Sequence, residues 1–415
     1  MRMIITKLTL RYILEDNFNS YLKRFGDKVS PVILELVNMM LLCCDKRLGY
    51  RSFYCVNCGQ VKQIAFSCKT RLCSRCGKIA NERFAMNFVK RMLPVTHRYI
   101  VFTIPGALWE LFHERIDLQK LLLKSANESI KEIMSFYNHR EVIPGVMAVL
   151  HTYGRDLKKN CHVNVIVTEG GYTCDGEWRR FTYFPFVKAG RVTKTLNEVW
   201  RDTVLEGLRL SLPRTSGNKL FIDGFRNRYP SGFYVYSPNN ARIKSNRKAR
   251  YKAKYITRYV KHPVISDSRI IHYDGKVVRF WYDYPTSKKR IMKEMDVLEF
   301  IHCVLTHVPE KSMHQVVYYG LYSATYTERT YTQYIFSPRG DIVDPEKLTW
   351  RERVMMETGV DPQLCHKCNT ELLLVCIVSK TANGYYVYYK LSAEDLSAIK
   401  YPNDEYWISV KNQLL

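Results

Sequence analysis

LKKNCHVNVIVTEGG, Leu157 to Gly171, has the period-two alternation of a β-strand that runs out into a Gly-Gly turn. Val163, Val165 and Val167 fall on one face, and His162, Asn164 and Ile166 on the other. A histidine and an amide on one face have two readings. One is a polar, solvated sheet surface. The other is a metal site, in which neighbouring same-face side chains offer an imidazole nitrogen and an amide oxygen to one ion. Nothing within the stretch chooses between them.

Beyond this strand, the composition narrows the partner. A chain of 415 residues that is 46% hydrophobic and 13% aromatic can bury two or three cores. Lys and Arg number 64 against 39 Asp and Glu, a net charge of +25 that attracts polyanions. The longest apolar run, VILELVNMMLLCC (32–44), contains Glu35 and Asn38 and suits a buried helix rather than a membrane span. That leaves nucleic acid as the expected partner and a membrane as the excluded one. The N-terminus, MRMIITKLTLRYILEDNF, lacks a secretory h-region and cleavage site, so a cytoplasmic protein is expected, nucleoid-associated when bound to DNA.

In a reducing compartment, 13 cysteines point to metal rather than to disulfides. YCVNCGQVKQIAFSCKTRLCSRCGK supplies Cys55-x2-Cys58, then Cys68, then Cys73-x2-Cys76, with Gly59 and Gly77 directly after the pairs. Two such knuckles suit one tetrahedral zinc held by Cys55, Cys58, Cys73 and Cys76. Cys68 is left over, with Cys43 and Cys44 upstream, as ligands of a second ion or as core thiols. A further pair, Cys365-x2-Cys368, has only Cys376 and His366 nearby; it is either a metal site completed from elsewhere or a surface turn. Lys62, Lys69, Arg71, Arg75 and Lys78 interleave the first cluster, which suggests a zinc-held module whose surface meets phosphate.

Residues 241–261, ARIKSNRKARYKAKYITRYVK, carry nine Lys or Arg and no acid. Arg247, Lys248, Arg250, Lys252, Lys254 and Arg258 are the expected DNA contacts. The residues suit a helix from Arg247 until His262-Pro263 ends it. Tyr251, Tyr255 and Tyr259 then share one face at i, i+4, i+8. Such a stripe either packs on a sheet or supplies a nucleophile. A phenol with an ordinary pKa of ~10 attacks phosphorus at neutral pH only when a base or metal assists and cations neutralise the phosphate. The preceding segment, YPSGFYVYSPNNARIKSNRK, is the expected mobile loop that delivers the helix.

HTYGRDLKKNCHVNVIVTEGG, YITRYVKHPVISDSRI and the cysteine cluster together resemble the rolling-circle transposases of the two-tyrosine HUH class, which carry an N-terminal zinc-binding region. RYIVFTIPGALW (98–109) and IHCVLTHVPEKSMHQVVYYGLYS (301–323) extend the resemblance over most of the chain. It implies an antiparallel sheet with flanking helices, a His-hydrophobe-His strand that holds a divalent metal on the scissile phosphate, and a helix tyrosine that forms a 5′-phosphotyrosine. The first histidine falls on His162, the hydrophobe on Val163, and the tyrosines on Tyr255 and Tyr259. The second histidine position holds Asn164, an oxygen ligand that fits Mg²⁺ or Mn²⁺ better than a softer ion. His151 stands in HTYG as either a third ligand or a strand partner.

The expected protein is α+β: an N-terminal helical and zinc-knuckle module (1–90), a nuclease domain with a central antiparallel sheet (91–300) and a C-terminal region (301–415). Zinc is structural, with Cys44, Cys68, Cys365 and Cys368 as further candidate ligands, and Mg²⁺ or Mn²⁺ is catalytic. The expected activity is cleavage and rejoining of single-stranded DNA at the ends and target of a mobile element. The rivals are a decayed zinc-dependent DNA-binding relative that lost its metal through Asn164, and a replication initiator or relaxase, which leaves the cysteine module unexplained.

Overall fold

The structure is a computed structural model and describes residues 8–186, 192–237, 242–243, 251, 255–256, 263–284, 289–309, 313–325, 349–381 and 384–389. Its described helices are α1 (Leu10–Phe25), α2 (Pro31–Leu41), α3 (Ser74–Arg91), α4 (Trp109–Glu114), α5 (Ile116–Asn138), α6 (Leu196–Ser211), α7 (Ser216–Arg228), α8 (Val297–Leu305) and α9 (Trp350–Thr358). The strands are β1 (Gly49–Tyr54), β2 (Val61–Ala65), β3 (His97–Thr103), β4 (Ile143–Tyr153), β5 (Lys159–Tyr172), β6 (Trp178–Arg180) and β7 (Val235–Tyr236). They continue with β8 (Arg242–Ile243), β9 (Ile270–Tyr273), β10 (Val277–Asp283), β11 (Arg290–Asp296), β12 (Val316–Gly320), β13 (Leu373–Thr381) and β14 (Gly384–Tyr389). The mixture of helices with antiparallel sheets is the expected α+β class.

The central sheet runs β12-β4-β5-β3-β7, with β6 paired to β5 and β8 to β3, all antiparallel. Its strands sort their residues by alternation. Ile100, Phe102, Val146, Ala148, Leu150, Val163, Val165 and Val167 bury one face against α4 to α7. On α5, Leu118, Leu122, Ala126, Ile130 and Ile133 recur at helical spacing and meet that face. Trp200 of α6 is fully buried, its ring edge-on to Phe102 at 5.0 Å, and its Nε1 donates to the Thr103 carbonyl at 2.6 Å. Burying such a ring contributes about 2–3 kcal/mol, and the donor bond removes the penalty of hiding the indole N–H. α6 starts on a capping box between Thr195 and Glu198.

The other face carries Tyr99, Val101, Met147, Val149 and Ile166, covered by Ala85, Phe88 and Val89 of α3 together with Ile243 and Ile256. It continues through His162 and Asn164 in the same alternation. The Gly-Gly step is not a turn, because β5 runs through Gly170 and Gly171 to Tyr172. A Cβ on Gly170, where φ is +148°, would lie 2.6 Å from the Arg179 carbonyl oxygen, and one on Gly171 would lie 2.4 Å from that of Ile143. The glycines therefore let β4 and β6 close in beside a register shift between Pro144 and Val146. The segment expected to be a loop before the tyrosines also contributes strand: Val235–Tyr236 and Arg242–Ile243 both pair with β3.

Two smaller sheets complete the described residues. β11-β10-β9 packs with α1, α2 and α8 around Phe280, Phe300 and Ile301. β14-β13-β1-β2 joins strands from both ends of the sequence, with Arg51 opposite Ile377 and Ser52 opposite Cys376. Strands from the expected C-terminal region thus complete the sheet of the expected N-terminal module.

Candidate active site and metal centres

Two groups of four thiols converge. Cys43, Cys68, Cys73 and Cys76 form one, and Cys55, Cys58, Cys365 and Cys368 the other, each with its sulfurs within 4.8 Å of one another. A Zn–S bond of ~2.3 Å in a tetrahedron puts sulfurs ~3.8 Å apart, whereas a disulfide needs ~2.05 Å. The observed Sγ separations are 3.7 Å for Cys43 to Cys76, 3.6 Å for Cys68 to Cys76 and 3.7 Å for Cys73 to Cys43. In the second group, Cys58 lies 3.6 Å from both Cys365 and Cys368. All thirteen cysteines are free thiols, and these eight fit two zinc centres of four thiolates each.

This grouping corrects the expected ligand set. Cys55 and Cys58 do not share an ion with Cys73 and Cys76, because the β1–β2 hairpin tip faces the C-terminal knuckle across the β1–β13 pairing. Cys73 caps α3 and Cys76 sits in its first turn beside Cys43, so Gly77 is helical and needs no unusual backbone. Cys44 is not in either group: its φ is +63°, and its sulfur accepts from Arg75 Nη1 at 3.0 Å. The residue after a ligand takes positive φ four times, at Cys44, Gly59, Lys69 and Asn369. That left-handed step turns each chain back so that N–H and C=O groups close the knuckle, as in Gly59 N to the Cys55 carbonyl and Asn369 N to the Cys365 carbonyl, both 2.9 Å. The Thr370 hydroxyl holds the Cys368 thiol down to about 5, favouring the thiolate that binds metal.

Several of the interleaved cations serve the fold. Lys62 Nζ donates to the carbonyls of Pro362 at 2.9 Å and Leu364 at 3.1 Å, holding the C-terminal knuckle, and Arg71 Nη1 donates to Gln315 Oε1 at 2.8 Å. Lys69, Arg75 and Lys78 are exposed.

On the central sheet, His162 pairs with His151 of β4 and Thr103 of β3, and the two imidazoles meet edge to face at 5.0 Å. His162 Nδ1 donates to the Asn160 carbonyl at 2.9 Å, which leaves Nε2 as the ring's lone-pair nitrogen. Burial pushes the His162 pKa below its ordinary value, so the ring is neutral at pH 7. Asn164 is buried: Tyr99 Oη donates to its Oδ1 at 2.5 Å, and its Nδ2 donates to His151 Nδ1 at 2.9 Å. His151 Nε2 in turn donates to the Ile256 carbonyl at 2.9 Å. Both His151 nitrogens are therefore engaged, and its role is to join the sheet to the helical residues at 255–256. Asn164 Oδ1 retains one lone pair, and with His162 Nε2 it suits an ion such as Mg²⁺ that keeps most of its waters.

Tyr255 and Ile256 are helical, and Tyr255 packs on the α3 side of the sheet. Its hydroxyl accepts from Arg155 Nη2 at 3.2 Å. Arg155 lies in the β4–β5 turn; its Nη1 donates to the Asp283 carbonyl at 3.4 Å, and Arg269 donates to its own carbonyl. Tyr251, one turn earlier, is exposed. Tyr259 and the expected DNA contacts Arg247, Lys248, Arg250, Lys252, Lys254 and Arg258 lie outside the described residues. Sequence reading favoured Cys44 over its neighbour Cys43 and missed the role of Arg155; the turn-forming Gly154 before Arg155 was the available signal.

A zinc-knuckle region followed by an antiparallel sheet with a histidine-amide face and a tyrosine beside it defines a class of DNA transposase. A family model described as "Transposase zinc-binding domain" matches residues 13–104, and one described as "Putative transposase" matches residues 145–329. The chain belongs to the IS91-type rolling-circle transposases with an N-terminal zinc-binding domain. It is 26% identical over 384 residues, 89% of this chain and 88% of the relative, to the transposase for insertion sequence element IS801 of Pseudomonas savastanoi pv. phaseolicola. It is 28% identical over 313 residues, 70% of this chain and 75% of the relative, to "Putative transposase y4qJ" of Sinorhizobium fredii (strain NBRC 101917 / NGR234). No solved structure matches it. Among the described residues, no helix is long and apolar enough to cross a membrane.

Proposed function

We propose that this transposase cuts and rejoins single-stranded DNA at the ends and target of its insertion sequence through 5′-phosphotyrosine intermediates, with Tyr255 and Tyr259 as nucleophiles. The observation that carries this reading is the Tyr255 hydroxyl, hydrogen-bonded to Arg155 and tied through Ile256 and His151 to the His162 strand. In the step, Tyr255 Oη bonds to phosphorus and the bond to the 3′ oxygen breaks. The phenol proton leaves to solvent, and the departing oxygen takes up a proton as a 3′-hydroxyl. Arg155 orients the phenol and offsets charge on the phosphate. His162 Nε2 and Asn164 Oδ1 would hold a Mg²⁺ or Mn²⁺, which when bound supplies polarisation of the scissile phosphate. The second tyrosine attacks another strand while the first holds its adduct.

Residues 1–90 serve as a zinc-held module whose surface meets phosphate and 91–300 as the nuclease domain, while 301–415 lends β12 to the nuclease sheet and, through Cys365, Cys368, β13 and β14, closes the module. Arg247, Lys248, Arg250, Lys252, Lys254 and Arg258 track the phosphates, and the protein works in the cytoplasm on nucleoid DNA. One observation favours the decayed DNA-binding rival: Tyr99 already occupies part of the Asn164 oxygen.

The test is adduct formation. A single-stranded oligonucleotide carrying the element end should yield a covalent protein–DNA adduct with Mg²⁺ or Mn²⁺ and none with chelator. His162→Ala should abolish it, as should Tyr255→Phe combined with Tyr259→Phe, with DNA binding retained. Tight binding of the end without adduct in any divalent metal would establish the decayed relative instead.

A further inference from the structure

A pair of tyrosines on the sheet edge has no part in the scheme above. Tyr234 is 64% exposed and Tyr236 38% exposed, and their rings stack at 5.6 Å between centroids with an interplanar angle of 21°. Alternation puts Val235 between them into the buried core, so both rings rise from the face that carries His162 and Asn164.

Register fixes where they stand. Tyr236 is opposite Val101, which is opposite Asn164. Thr103, opposite His162, donates from its backbone N to the Tyr234 carbonyl at 3.0 Å and from its hydroxyl to the same oxygen at 2.7 Å. Each tyrosine thus shares a cross-strand row with one of the two metal-face residues, two strand spacings or about 10 Å away. The Tyr236 phenol is within electrostatic reach of the Tyr255 phenol and the Arg155 guanidinium.

The rings are held in place. Val235 N donates to Asn197 Oδ1 at 3.2 Å, and Ser237 Oγ donates to the Tyr99 carbonyl at 2.8 Å, so the backbone carrying the pair is anchored on both sides. Exposed aromatic rings on a fixed backbone, with the Arg155 guanidinium within electrostatic reach, in a chain of net charge +25, match the chemistry that holds unpaired bases: a flat π-face with cations available for the phosphates. Double-stranded DNA offers no such base faces to a sheet edge.

From these observations we infer that Tyr234 and Tyr236 form a stacking platform for unpaired bases of the single strand flanking the scissile phosphate. The inference rests on the nuclease reading above for the position of that phosphate. The platform recognises base faces rather than base edges, so it tolerates sequence and demands single-strandedness.

The experiment compares a thymidine oligomer of about twenty nucleotides with an abasic oligomer of equal length and charge, using the full-length zinc-loaded protein. Wild-type protein should bind the thymidine oligomer more tightly. Tyr234→Ala with Tyr236→Ala should lose about tenfold or more on thymidine and little on the abasic strand, whereas Tyr234→Phe with Tyr236→Phe should keep wild-type affinity for both. Equal losses on both oligomers, or no loss on either, overturns the platform. Adduct formation on the element end is scored in parallel. Adduct without base-selective loss rejects the platform and leaves the nuclease reading standing. Base-selective loss without any wild-type adduct keeps Tyr234 and Tyr236 as a stacking platform for unpaired bases and rejects the nuclease reading, and with it the placement of those bases beside a scissile phosphate. Failure of the wild-type protein to bind either strand rejects both.

Discussion

The Arg155 guanidinium and the Tyr255 hydroxyl meet at 3.2 Å although 100 residues of chain separate them. A fixed cation on the phenol suits an attack in which negative charge grows on phosphate oxygens, because a preorganised donor needs no reorganisation during the reaction. Arg155→Gln is therefore expected to slow adduct formation by about 10²-fold with little change in single-strand affinity. Arg155→Lys should recover only part, since an ammonium lacks the planar fork that reaches both Tyr255 and the Asp283 carbonyl. Single-turnover rates at saturating protein check this, and an unchanged Arg155→Gln rate would remove Arg155 from the chemistry.

Metal analysis of the purified protein should find two zinc ions per chain. Cys58→Ser and Cys365→Ser should each lose the same ion, so that combining them still leaves one, whereas Cys58→Ser combined with Cys73→Ser should leave none. Cys44→Ser should keep both. Loss of a single common ion from Cys58→Ser and Cys73→Ser would restore the grouping expected from spacing.

Removing the second zinc should also open the protein at the sheet it closes. With Cys365→Ser, hydrogen exchange in β1 and β13 is expected to rise well before exchange in β4 and β5, because the ion ties the β1–β2 tip to the turn before β13. Uniform protection across both sheets would show that strand pairing alone holds the chain ends together.

Acid should destabilise the fold through its buried imidazoles. Burial pushes His97 down to about 4, where Tyr322 Oη and the Val95 carbonyl occupy its nitrogens. Below an unfolded pKa of ~6.5 the unfolded chain binds a proton that the folded one refuses, so stability is full above that value and falls as pH drops towards 4. From about pH 7 to about pH 5 the loss from this group is about 2 kcal/mol. Urea titrations of His97→Asn should show a shallower pH dependence over that interval, at lower stability overall; an unchanged slope would mean that His97 is not the group responsible.

Single-strand binding should weaken steeply with salt. Arg250→Ala and Lys254→Ala are each expected to reduce the log–log slope by about 0.7 if each removes one phosphate contact. A slope unaffected by both would take the basic segment out of the DNA track.

The sequence by itself determined whatever depends on near neighbours. Alternation along residues 162–167 predicted which side chains share a face, and the structure keeps that division. The Cys-x2-Cys spacing marked Cys55/Cys58 and Cys73/Cys76 as converging thiol pairs, because two thiolates on one short loop point the same way whatever surrounds them, and it left Cys365/Cys368 open between a metal site and a surface turn. Tertiary structure alone decided the partners. Cys55 meets Cys368 because β1 pairs with β13, more than 300 residues on, and local spacing carries no record of that pairing. Cys43 rather than Cys44 joins the thiol group: the backbone is left-handed at Cys44, whose N–H donates to the Phe66 carbonyl at 3.0 Å just after β2, a contact that local spacing does not record. The Gly-Gly step looked like a turn because glycine permits turns. It is strand because two neighbouring backbones approach closer than any Cβ allows. Arg155 reached Tyr255 for the same kind of reason: a side chain's chemistry is written in its residue type, but its partner is chosen only when the β4–β5 turn and the helical residues at 255–256 are brought together over one sheet face.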